Sequence, residues 1–169
     1  MTQLARGIVT PLVERSVPSP IGRLRLVASG AALVAIDLPS AKGARPLEAR
    51  GARGHAILDR AAAQLAEYFR GARRVFDLPL GPAGTPFQRA VWDEVALIPW
   101  GERRSYAEVA LEIGRPRAVR AVGGANARNP LPIVVPCHRV VGSDGTLTGY
   151  AGGLAAKEWL LALEGRAGS

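Results

Sequence analysis

The sequence predicts a mixed α/β protein: a small N-terminal α/β lobe, hairpin or sheet plus helix, then a mainly helical C-terminal lobe with a helix-turn-helix and a loop carrying the single cysteine. Three observations carry this prediction. Residues 23–28 alternate polar and apolar side chains, and Ser29-Gly30 separates them from an apolar run over 31–38, the pattern of a hairpin. Residues 57–69 repeat apolar side chains at helical spacing. Beyond Gly81-Pro82-Ala83-Gly84, Thr85–Gln88 and Ser105–Glu108 each place a capping hydroxyl three residues before an amide or carboxylate, which marks two helix starts.

The elements follow in order. Pro20-Ile21-Gly22 makes a turn into the hairpin. Residues 39–54 are rich in Gly, Ala, Pro and Arg without periodicity and read as a mobile surface loop. Ile57, Leu58, Ala61, Leu65, Tyr68 and Phe69 form the stripe of an amphipathic helix that stops before Gly71. Residues 75–80 fit a short strand. The boundary falls at 81–84, leaving a structural domain over 1–80 and a second domain over 85–169. There, Pro86 suits a first helical position, Phe87, Val91, Val95 and Ile98 form a buried stripe, and Pro99 ends the helix. Tyr106 begins a short helix that ends at Gly114, and Pro116 can open the next one, carrying Arg117 and Arg120. Two short helices around a glycine turn make a helix-turn-helix arrangement. Gly123-Gly124 within the second helix costs roughly 1 kcal/mol per glycine relative to alanine, so a surface free of side chains is needed there. Packing against the protein's own core and approach to a sugar-phosphate backbone both meet that need.

Composition narrows the function. The formal charge of +8 draws the protein toward a polyanion, although only two of the 22 basic residues are lysines and arginine also serves on solvated faces. No apolar stretch is long enough to cross a bilayer as a helix, and residues 1–10 lack the pattern of a secretory signal, so a cytosolic protein is expected. One cysteine cannot form an intramolecular disulfide, and with His55 and His138 it falls short of a structural zinc cage, so no metal is expected.

Residues 129–140 concentrate the chemistry. Three prolines surround a short apolar run and deliver Cys137 beside His138 and Arg139. A lone cysteine is commonly a small buried hydrophobe. A reactive one acts as thiolate, and neighbouring positive charge or a hydrogen-bonded base lowers its pKa, which His138 and Arg139 can supply.

Pro136-Cys137-His138-Arg139-Val140 resembles the active-site signature of the O6-alkylguanine-DNA alkyltransferases, the methylated-DNA-protein-cysteine methyltransferases. The resemblance extends over Gly84–Gln88, Gly101-Glu102, Ser105-Tyr106, Arg120–Ala125, Asn129-Pro130, Gly149–Gly153, Lys157–Leu161 and Glu164, and reaches Ser19–Gly22 and Phe76–Leu80 less specifically. It implies a suicide protein that moves the alkyl group of O6-alkylguanine, and of O4-methylthymine, onto Cys137 without cofactor, metal or obligate protein partner. Its partner is double-stranded DNA, held through the minor groove with the damaged nucleotide flipped out. In that resemblance Arg120 is the finger replacing the extruded base, and Ala121, Gly123, Gly124, Ala125, Asn126 and Arg117 lie at the DNA. Tyr106 donates to guanine N3, Asn129 ties the helix pair to the active-site turn, and His138 with Glu164 relays the Cys137 proton through water. The Val140 carbonyl, Tyr150, Ala151, Gly152 and Lys157 form the base pocket and its lid.

Ala151, Trp100 and Asn126 depart from residues common in relatives. Three rival readings exist. A non-catalytic lesion sensor lacks the cysteine, a repair-linked regulator needs a four-cysteine metal domain, and a cysteine hydrolase needs an oxyanion hole that no motif provides.

Overall fold

The computed structural model describes residues 10–39 and 47–166. Its main sheet has the order β3-β2-β1-β4, with β1 Leu12–Val17, β2 Leu24–Ser29, β3 Ala32–Asp37 and β4 Arg50–Gly51. The hairpin is β2–β3, turned at Gly30 with φ +58°. Two strands add to it. β1 pairs antiparallel with β2 although charged and polar residues interrupt its apolar pattern, and β4 pairs parallel with β1 at Val13 and Glu14. The segment expected as a loop over 39–54 therefore contributes an edge strand, held further by the Ala52 amide donating to the Glu14 carbonyl at 3.0 Å. Residues 40–46 of that segment, like most of residues 1–10, lie outside the described residues.

Helix α1 (Ala56–Phe69) lays Ile57, Leu58, Ala61, Leu65 and Tyr68 into the core and ends at Gly71, φ +73°. Residues 75–80 do not form the expected strand. They contribute one bridge, Leu33 to Leu80, because Pro79 has no amide to donate and Gln64 occupies the backbone of Asp77, donating to its carbonyl and accepting from its amide at 2.9 Å each.

Helix α2 (Pro86–Ala96) begins with the full capping box of Thr85 and Gln88. Val91, Val95 and Ile98 are buried as expected, Phe87 only partly, and Trp92 joins them. Trp92 leaves no room at Gly84, where a Cβ would lie 2.4 Å from its ring, and its indole donates to the Ala125 carbonyl at 2.8 Å. Helix α3 (Tyr106–Glu112) carries the second capping box and stops at Gly114 in the left-handed conformation. The next helix, α4 (Val119–Ala127), starts later than expected. Pro116 and Arg117 belong to the preceding turn, closed by the Ala118 amide donating to the Arg115 carbonyl at 2.9 Å, so Arg117 precedes the helix instead of riding on it.

Helix α5 (Leu154–Arg166) buries Lys157, Leu160, Leu161 and Glu164, a single face at spacing 3, 4 and 7. One hydrophobic cluster joins the sheet, α1 and the C-terminal helices, with Leu26 and Leu33 in the same core as Val91, Val122 and Leu160. No helix among the described residues is long and apolar enough to cross a membrane.

Candidate active site

The loop between α4 and α5 is fixed from several sides. The Ile36 amide, on the outer edge of β3, donates to the Pro130 carbonyl at 2.8 Å. Asn129 is buried, donates to the Val135 carbonyl at 2.9 Å and accepts from the Leu131 amide at 2.9 Å, closing both ends of the intervening turn. Within that turn Ile133 has φ +76°, a conformation that costs a β-branched residue on the order of 1–3 kcal/mol. The chain then makes a single-turn 3-10 helix, Cys137–Arg139, and enters β6 (Val140–Val141), which pairs parallel with β5 (Arg104–Ser105). That short ladder sets the cysteine turn beside the start of α3 and Tyr106.

Cys137 is 3% exposed. Burial pushes its thiol up to about 11, against smaller opposing effects of the Asn129 side chain and the Lys157 charge. The resting group is therefore a thiol. Beside it His138 Nε2 lies 2.7 Å from Glu164 Oε1, and both residues are buried. Burial favours neutral imidazole, partly opposed by Glu164, and His138 falls below its ordinary pKa. Burial alone would raise the Glu164 pKa, but hydrogen bonds and charge from His138 and Arg139 bring it down to about 2.

Two partners of Glu164 were not foreseen: Arg139 was expected only as positive charge for Cys137, and Tyr68 only as a core residue. Arg139 grips both carboxylate oxygens, Nη2 to Oε1 at 2.8 Å and Nε to Oε2 at 2.9 Å, and its Nη1 donates to the Ile98 carbonyl at 2.5 Å. The hydroxyl of Tyr68 on α1 donates to Glu164 Oε1 at 2.8 Å. Adjacency to His138 was a signal for Arg139. None existed for Tyr68, which fits the apolar stripe of α1 like any core aromatic.

Of the expected pocket residues, Lys157 and Val140 meet directly, while Ala151 and Gly152 pack toward Leu38. Lys157, fully buried, donates to the Val140 carbonyl at 2.7 Å and to the Thr148 carbonyl at 3.0 Å, pinning the cysteine strand to the segment before Gly149. The Val140 carbonyl thus already has one partner. Tyr106 is half-buried and its hydroxyl donates to the Thr148 carbonyl at 3.3 Å. Gly152 packs so closely that a Cβ would sit 2.6 Å from Leu38 Cδ1, and Ala151 shares a cleft of about 700 Å³ with Leu38, Asn129 and Pro130. Tyr150 has a buried hydroxyl without a hydrogen-bond partner among the described residues.

On α4 the expected DNA-facing set divides. Arg120 and Ala121 are exposed, and Gly123 and Gly124 are partly so. Ala125 and Asn126 are buried: helical periodicity turns them inward, where the Ala125 carbonyl meets Trp92 and Asn126 Nδ2 donates to the Cys137 carbonyl at 3.2 Å. The glycines do not serve core packing. A Cβ on Gly123 would make only ordinary contact with the Tyr106 ring at 3.9 Å, and one on Gly124 would meet the mobile end of Arg128. A shallow depression of about 580 Å³ joins Arg120, Gly123, Tyr106, Thr148 and Gly149.

One buried thiol, followed in sequence by a histidine that holds a buried carboxylate, lies beside an exposed helix pair. Residues 12–82 match the ribonuclease-like domain, and residues 86–166 the DNA binding domain, of 6-O-methylguanine DNA methyltransferase, so the chain belongs to that family. The methylated-DNA--protein-cysteine methyltransferase of Methanosarcina barkeri is 49% identical over 148 residues, covering 88% of this chain and 94% of its own. The protein of that name from Mycolicibacterium paratuberculosis is 46% identical over 90% of this chain and 92% of its own. Among solved structures, Mycobacterium tuberculosis OGT in complex with DNA superposes with a TM-score of 0.86 at 43% identity, covering 91% of this chain and 93% of that one.

Proposed function

We propose that this protein reverses O6-alkylation of guanine in double-stranded DNA by transferring the alkyl group irreversibly to Cys137, once per molecule. The observation that carries the reading is the buried Cys137 thiol followed directly by His138, whose Nε2 is committed to Glu164 at 2.7 Å. With the ring proton on Nε2 facing that carboxylate, Nδ1, which has no partner among the described residues, is the basic nitrogen. The thiol proton passes to Nδ1 through water as Sγ attacks the alkyl carbon. The S–C bond forms, the C–O6 bond breaks, and guanine leaves as an anion that takes up a proton. Tyr106 exchanges its Thr148 contact for guanine N3 and offsets charge on the leaving base. O4-methylthymine presents an analogous alkoxy carbon and is accepted by the same attack.

An alkyl carbon at O6 lies inside the paired stack, so the nucleotide must turn out of the duplex to reach a thiol this enclosed. The exposed face of α4 supports minor-groove docking: Ala121, Gly123 and Gly124 permit close approach, and Arg120 fills the gap left in the stack. The depression from Arg120 to Gly149 gives the base a route toward Tyr106 and the lid of Tyr150, Ala151 and Gly152. Val140 receives the guanine amine on the second lone pair of a carbonyl that Lys157 orients. Asn129 holds the cysteine turn to the end of α4. Residues 1–80 act as a structural domain and 85–169 as the DNA-binding and transfer domain, working in the cytoplasm.

The test is peptide mass spectrometry after mixing the protein with excess duplex containing O6-methylguanine, with Cys137→Ser as control. One methyl on Cys137 per molecule, absent from the control, is expected. Duplex binding without modification would instead support a lesion sensor.

A further inference from the structure

We propose that Tyr68, reaching in from the N-terminal part of the chain, is a positioning residue for alkyl transfer that sets the basicity of His138 through Glu164. The inference rests on the reading of Cys137 as the alkyl acceptor and His138 as its base. Tyr68 is wholly buried, and its hydroxyl donates at 2.8 Å to Glu164 Oε1, the same oxygen that faces His138 Nε2 at 2.7 Å. It also lies 3.5 Å from Nε2 itself. Arg139 adds a third donor to that oxygen and holds the other.

A carboxylate that receives several donors has less negative charge to offer any one of them. Arg139 and Tyr68 together therefore limit how far Glu164 can stabilise an imidazolium, which keeps His138 neutral and able to accept the thiol proton. The charged and titratable groups around the ring are Glu164 and Lys157 from α5, Arg139 and Cys137 from the cysteine turn, Tyr68 from α1 and Tyr150 from the lid. Only Glu164 favours the imidazolium among those that carry full charge at rest, and Tyr68 is the neutral donor aimed at it. Burial and the adjacent carboxylate raise the Tyr68 pKa, so its proton stays in place across the working range. An aromatic on a structural helix would otherwise be expected to end in carbon at this depth.

Removing the Tyr68 hydroxyl frees one acceptor site on Glu164, strengthens the His138 contact and makes imidazolium easier to form. The experiment is the pH dependence of single-turnover methyl transfer from O6-methylguanine duplex to Cys137, in wild type, Tyr68→Phe and protein with 3-fluorotyrosine at position 68. The acid limb is expected to move upward by about half to one pH unit in Tyr68→Phe, since one hydrogen bond to a charged group is being lost. It moves downward with 3-fluorotyrosine, whose more acidic hydroxyl donates more strongly and whose shape preserves the fold. The imidazole titration of His138, followed by NMR of histidine-labelled protein and separated from His55, should move in the same directions without any reaction. Unmoved limbs and an unmoved titration, with transfer merely slowed or the protein merely less stable, would reduce Tyr68 to a packing residue. Wild-type protein that never methylates Cys137 would overturn the transfer reading itself, while the NMR comparison still decides whether Tyr68 tunes His138.

Discussion

Asn126 shows how a residue can be recognised and misplaced at once. The family resemblance set it at the DNA, but helical periodicity turns it inward, and its amide instead holds the carbonyl of the nucleophile. Asn126→Ala removes one of that carbonyl's two donors, the Val140 amide being the other, at a cost of about 1 kcal/mol in stability, and loosens the Cys137 backbone. Transfer should slow roughly tenfold, because small displacements of a reacting atom are costly in rate. Fluorescence anisotropy should find duplex affinity nearly unchanged; an affinity loss equal to the rate loss would return Asn126 to the DNA face. Cys137 and His138 were legible because a rare residue stood in a dense motif, whereas Glu164 was reached only through the family resemblance. Tyr68 was not, since its polar atom is one of eight side-chain heavy atoms on an apolar stripe, and no residue near it in sequence announces Glu164, 96 positions away.

Helices with explicit start and stop chemistry were read closely from sequence, as the capping boxes at Thr85 and Ser105 and the left-handed Gly114 show. Elements that depend on distant partners were not. β4 exists because β1 offers it an edge, and residues 75–80 lose their strand to the side chain of Gln64. Within α4, Gly123 separates helix stability from DNA approach. Gly123→Ala meets only the Tyr106 ring at ordinary distance, so the helix should gain about 1 kcal/mol, visible as a higher Tm. Duplex affinity should fall at the same time, about tenfold where a close approach worth ~1.4 kcal/mol is lost. A variant that is more stable and binds duplex as tightly as wild type would remove the glycine face from the DNA contact.

At the scale of the molecule, one buried ionic cluster ties α1, the cysteine turn and α5 together, and it makes stability depend on acid. Glu164 holds its charge down to about 2 in the folded protein, whereas the unfolded chain takes up the proton near the ordinary value of 4.5. Its contribution, on the order of 3 kcal/mol, is complete above that ordinary value and is lost as pH falls toward 2. His138 acts in the same direction, since its depressed pKa lets the unfolded chain bind a proton first once pH drops below 6.5. Urea midpoints should therefore decline below pH 6.5 and more steeply below 4.5; a flat profile from pH 7 to 3 would contradict the cluster. The enclosure of Cys137 has a consequence for the life of the unused protein. A sacrificial thiol has only one reaction to give, and stray oxidants and electrophiles attack thiolate that is both formed and within reach. With its sulfur protonated and walled in, each copy stays unspent among such reagents, and the readiness of the population for damage is set by how well idle molecules keep rather than by how fast one reacts.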